Sequence, residues 1–132
     1  MQINRRAFTQ LLAVVSVTGA GEALAQGKGK TVEVAMQGDS AMPIFFPKSV
    51  NISAGDTVKW TNKNILVHTV TLDPKQATKA SEVSLPAGVK PFGSKDLNQD
   101  DTYSHTFTVK GIYKYVCKYH EEMQMVGTVV VQ

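Results

Sequence analysis

Only one cysteine, Cys117, occurs among the 132 residues. An intrachain disulfide framework is thereby excluded, and the thiol has to be explained by burial, reactivity or metal binding. Runs of like charge are missing too. The 14 basic and 11 acidic residues are scattered along the chain for a formal charge of +3, which excludes the basic stripe of a nucleic-acid-binding protein and a polybasic membrane segment. No internal repeat or low-complexity segment is present, and no long helical pattern appears outside the first thirty residues. Histidine is scarce, with three in all, so each one counts. What remains, 42% apolar residues with 10 glycines and 5 prolines, fits one globular domain with a short appendage.

The appendage reads as an export address. A basic pair, Arg5-Arg6, precedes a moderately apolar run from Ala7 to about Ala20, and Ala23-Leu24-Ala25 offers a small-x-small cleavage site. Thr9, Gln10, Ser16 and Thr18 interrupt the run, which argues against a membrane-spanning helix. Residues 1–25 are therefore expected to be a signal peptide and 26–132 the working domain. The paired arginines before Ala7-Phe8 resemble a twin-arginine signal, with an ordinary secretory signal as the other reading. Cleavage would remove Arg5, Arg6 and Glu22 and leave a nearly neutral protein in the periplasm.

Beyond the leader a period of two dominates. Val32, Val34 and Met36 alternate with polar residues, as do Val50 with Ile52 and Val58 with Trp60, the pattern of half-buried strands. Ala54-Gly55-Asp56 is a turn signal, and Asn62-Lys63-Asn64 ends a strand. Leu66, His68, Val70 and Leu72 are expected on one face of a strand over 65–72, so that His68 points inward. Residues 73–101, punctuated by Pro74, Pro86, Gly88, Pro91 and Gly93, read as loops with a helical turn near 76–81. Alternation resumes through Tyr103, His105, Phe107 and Val109. It continues on one face through Tyr113, Tyr115 and Cys117, and the β-branched run after Met125 suits a buried last strand. Seven or eight short strands with regular turns predict an all-β, Greek-key sandwich or barrel.

The chemistry is concentrated in Cys117-Lys118-Tyr119-His120-Glu121-Glu122-Met123-Gln124-Met125, which sets a thiolate, an imidazole and thioethers where one strand ends and the next begins. A hairpin loop can wrap them around one point. Soft sulfur suits Cu(I) and imidazole suits Cu(II), so a two-histidine, one-cysteine set with a weak thioether serves both states; His68 supplies the second imidazole. A lone thiol in an exported protein is a liability unless coordinated. His105 has nothing nearby to complete a second site and reads as structural. Glu121 and Glu122 read as solvated charges.

Phe46-Pro47, the run 55–62, His68-Thr69-Val70, the run 111–117 and Met125-Val126-Gly127 follow one another in a familiar order and spacing. Together they resemble the plastocyanin, amicyanin and pseudoazurin group of small blue-copper proteins, the cupredoxins. That resemblance implies one copper ion held by His68, Cys117, His120 and Met125, and an electron carrier rather than an enzyme. Met123 competes for the axial place, but Met125 is preferred because it directly precedes the last strand. Val67 and Val116 stand where the family's plastocyanins carry proline and tyrosine. The resemblance further implies that His120 faces transient redox protein partners of a monomer, with no nucleic acid and no lasting membrane insertion. A copper carrier or sensor with the same ligands is the other reading.

Overall fold

A computed structural model describes residues 29–132; the expected leader lies outside them. The chain forms nine strands: β1 (Thr31–Asp39), β2 (Met42–Phe46), β3 (Ser49–Ile52), β4 (Thr57–Asn62), β5 (Thr71–Leu72), β6 (Phe92–Gly93), β7 (Thr102–Thr106), β8 (Gly111–Val116) and β9 (Val126–Val131). They build two sheets, in the orders β2-β1-β4-β7 and β3-β9-β8-β5-β6. β1 runs parallel to β4 and β3 parallel to β9, while the other neighbours are antiparallel. The expected sandwich is present, with more strands than the seven or eight anticipated, because the stretch after Leu72 contributes the two-residue β6 and β2 carries little alternation.

Alternation decides which side chains line the interior. Val34 and Met36 of β1, Val58 and Trp60 of β4, Tyr113 and Tyr115 of β8, and Val129 and Val131 of β9 are all buried in one apolar cluster. Trp60 sits at its centre. It donates Nε1–H to the Tyr115 hydroxyl at 3.0 Å and meets that ring edge-on at 5.4 Å, so its one polar atom is satisfied inside the core. Gly127 of β9 is required here: a Cβ would lie 2.4 Å from the Tyr115 ring and hydroxyl, so only glycine lets that ring lie against the last strand.

Two sequence expectations change. The strand expected over 65–72 is confined to Thr71–Leu72, and His68 is held instead by an isolated bridge to Leu97. The asparagines cause this. Asn62 Nδ2 donates to the Leu66 carbonyl at 2.7 Å and Asn64 Oδ1 accepts the Leu66 N–H at 2.9 Å, so side chains take the backbone groups a strand would have paired. The alternation expected to run on through Val109 lapses before the turn: β7 ends at Thr106 and Val109 is 44% exposed.

Candidate metal centre

The site lies at one end of the sandwich, where β8 delivers Cys117 and the loop to β9 carries His120 and Met125. His68 approaches from the β4–β5 connection. Cys117 Sγ lies 3.7 Å from His68 Nδ1 and 3.5 Å from His120 Nδ1. These three ligand atoms all fall within 4.8 Å of one another, and among the described residues this is the one group of three or more His, Cys, Asp or Glu so arranged. The imidazole centroids are 4.9 Å apart. His68, Cys117 and Met125 are fully buried, whereas His120 is partly exposed.

Backbone hydrogen bonds shape the loop. Cys117 N–H donates to the Met125 carbonyl at 3.0 Å, His120 N–H to the Cys117 carbonyl at 3.1 Å, and Met125 N–H to the His120 carbonyl at 3.2 Å. Gln124 adopts a left-handed conformation with φ of 64°, which turns the chain back so that Met125 is buried at the start of β9. Met123, two residues earlier, is 48% exposed. The sulfur is also tied to the β4–β5 connection: Thr69 N–H donates to Cys117 Sγ at 3.4 Å, and Lys118 N–H to Thr69 Oγ1 at 3.0 Å.

The protonation of His68 follows from its surroundings. Asn64 Oδ1 accepts the Leu66 N–H, which fixes that atom as the oxygen, and it lies 2.9 Å from His68 Nε2. Nε2 is therefore the N–H, and the Nδ1 lone pair faces the sulfur. Burial first, and then the neighbouring His120, push the His68 pKa down to about 4. Burial also lowers that of His120. Both rings are thus neutral donors near pH 7, as metal ligation requires. Two imidazole nitrogens and a buried thiol converging from three segments match the soft and borderline ligands that copper favours.

The structure brings His68, Cys117 and His120 together and buries Met125 on the same loop. It leaves His105 elsewhere, stacked on Phe92 with centroids 3.8 Å apart, in keeping with a structural role. It corrects the reading of Glu121. That residue is not solvated but 4% exposed, its carboxylate accepting the N–H groups of Thr78 at 2.7 Å and Lys79 at 2.8 Å. Glu122 is exposed, as expected. Burial alone would raise the Glu121 carboxyl, but hydrogen bonds from the Lys79 and Thr78 amides outweigh it and hold the pKa below the usual range. In the sequence Asn64 marks only the end of a strand; its placement four residues before a ligand candidate is the signal for its hold on His68.

Residues 32–132 match the family model described as copper binding proteins, plastocyanin/azurin family. The chloroplast plastocyanin of Tetradesmus obliquus is 34% identical over 127 residues, covering 91% of this chain and 78% of its own length. The plastocyanin of Scenedesmus fuscus is 35% identical over 103 residues, 76% of this chain and 99% of its own. Among solved structures, the amicyanin of Paracoccus versutus superposes with a TM-score of 0.58 at 26% identity, over 77% of this chain and 81% of its own. The sandwich, the clustered donors and these likenesses agree: the chain belongs to the plastocyanin/azurin family of copper-binding proteins, which are electron carriers and not enzymes.

Proposed function

We propose that His68, Cys117, His120 and Met125 hold a single copper ion, and that the protein, exported by its leader to the periplasm, carries single electrons between redox proteins. The convergence of His68 Nδ1, His120 Nδ1 and Cys117 Sγ carries this reading. When bound, copper supplies a one-electron couple between its +1 and +2 states. The chain's own part is to present neutral imidazoles and a thiolate from fixed positions, and to keep water from all of them but the edge of His120. Thr69 N–H, aimed at the sulfur, tempers its donation and helps set the potential.

Burial supports this reading over a copper carrier or sensor. An ion held by His68, Cys117 and Met125, all with no exposed surface, leaves only if the loop opens, which suits a carrier of electrons rather than of ions. No helix among the described residues is long and apolar enough to cross a membrane. Ile65 and Val67 on the His68 side, and Tyr119 and Met123 on the His120 side, expose apolar surface on the ligand-bearing loops. Such a surface fits brief docking of the monomer with protein partners, burying under about 1,200 Å². Adding Cu(II) should produce an intense visible thiolate-to-copper band with reversible voltammetry, and Cys117→Ser should abolish the band. A colourless protein that takes up only Cu(I) would overturn the proposal.

A further inference from the structure

The residues on either side of His120 are both tied down, and to different parts of the molecule. Before it, the Tyr119 hydroxyl meets both oxygens of the Asp96 carboxylate, at 2.8 and 2.9 Å. After it, the Glu121 carboxylate accepts the Thr78 and Lys79 amides at 2.7 and 2.8 Å. The ties differ in strength. Tyr119 is 49% exposed and its bond competes with water, whereas Glu121 at 4% exposure is a buried ion whose two amide partners are costly to lose.

Each tie ends on a fixed point. Asp96 precedes Leu97, whose backbone exchanges two hydrogen bonds with His68, at 2.8 and 3.1 Å. Thr78 and Lys79 lie between the 3-10 turns Pro74–Gln76 and Ala80–Glu82. Ser84, just beyond the second turn, pairs with Lys114 of β8 through hydrogen bonds of 3.0 and 3.1 Å. The backbone bonds inside the 117–125 loop hold its shape, and the bond from Lys118 N–H to Thr69 Oγ1 places its start; the two side-chain ties place the stretch that carries His120.

We propose that Glu121 is a positioning residue of the metal centre: anchored on the Thr78 and Lys79 amides, it fixes the loop that carries His120, with Tyr119–Asp96 as a weaker tie on the other flank. This rests on the reading of His120 as a copper ligand. A loop free to shift would settle differently in the two charge states of the site, and each electron transfer would then carry the cost of moving it. A loop pinned on both sides of the ligand moves little. Groups beyond the direct ligands that orient them affect metal affinity by about 10–100-fold in other metal sites.

Glu121→Gln tests the inference in the full, copper-loaded protein. The amide keeps the shape but turns an N–H₂ group toward one of the two backbone donors. The blue band should persist, copper loss to a chelator should quicken about tenfold, and Cu(I)/Cu(II) self-exchange followed by NMR should slow about tenfold. In the metal-free variant the Thr78 and Lys79 amides should lose protection from hydrogen exchange. Glu122→Gln, an exposed neighbour with the same charge change, should leave all of these at native values. Native release and self-exchange in Glu121→Gln would overturn the proposal and reduce Glu121 to a structural tie. Should that variant fail to fold, Tyr119→Phe decides: a smaller slowing of self-exchange supports the proposal and a native rate overturns it. His120→Gly isolates the underlying reading, since a lost band that added imidazole restores establishes the ligand, and an unchanged band removes it whatever Glu121 does.

Discussion

Asp56 and Glu121 are both 4% exposed acids that accept two backbone N–H groups, yet one lies just before β4 and the other in the loop between β8 and β9, and they serve different parts of the molecule. Asp56, just before β4, takes the amides of Lys30 and Ser53, each at 2.9 Å, and its own backbone pairs with Ser53 and Phe107. It closes the end of the sandwich away from the metal. Glu121 does the same chemistry in the β8–β9 loop, beside the candidate ligand His120. One acid joins elements of the scaffold to one another; the other joins the scaffold to a loop. A buried carboxylate on backbone amides is thus a general clamp, and what it clamps decides whether its loss is felt in stability or at the site.

The largest expected effect breaks the symmetry at the scaffold end. Asp56→Ala leaves the Lys30 and Ser53 amides without their partner and should lower the melting temperature by roughly 5–10 °C, with the copper spectrum unchanged. Calorimetry beside a visible spectrum checks both; a displaced band would mean that the two ends are coupled.

Acid sharpens the contrast next. In the metal-free protein His68 titrates at about 4 against an ordinary 6.5, so the unfolded chain binds the proton first and stability falls as the pH drops from about 6.5 to 4. The Asp56 carboxyl lies below its ordinary 3.8 because Ser53 and Lys30 donate to it. Its contribution is therefore present above 3.8 and disappears only as the pH falls below that, through its folded value. Denaturant midpoints measured against pH should show two separate declines. His68→Asn should shrink the upper one, to which the lowered His120 also contributes, and Asp56→Asn the lower, which Glu121 shares. A single decline shared by both variants would contradict the separation.

The smallest effect lies within the ligand loop. Met125→Leu should retain copper and raise the reduction potential, because the lost thioether stabilised the oxidised ion, while Met123→Leu should leave the potential where it was. Voltammetry of the pair decides between them, and a potential that answers only to Met123 would transfer the axial role.

Much of this protein is legible along the chain wherever a local rule applies. The alternation of Val32, Val34 and Met36, of Val58 and Trp60, and of Tyr113, Tyr115 and Cys117 assigns strands and inward faces, because a pleated strand has a side-chain period of two. Cys117, His120 and the two methionines Met123 and Met125 stand out as ligand candidates by their spacing within one loop, with Met125 preferred because it directly precedes the last strand. The segment around His68 was harder: a strand pattern was present, but the side chains of Asn62 and Asn64 captured the backbone groups that the strand needed.

Sequence by itself determined the sandwich class and the chemical identity of the four proposed ligands, since both follow from residue type and short-range order. Only the tertiary structure decided that His68 lies 3.7 Å from a sulfur 49 residues away, that Asn64 selects its ring nitrogen, and that Glu121 is buried while Glu122 is not. Two adjacent glutamates look alike in a sequence. The difference between them is made by the amides of Thr78 and Lys79, more than forty residues earlier, and a contact across that separation exists only once the chain has folded.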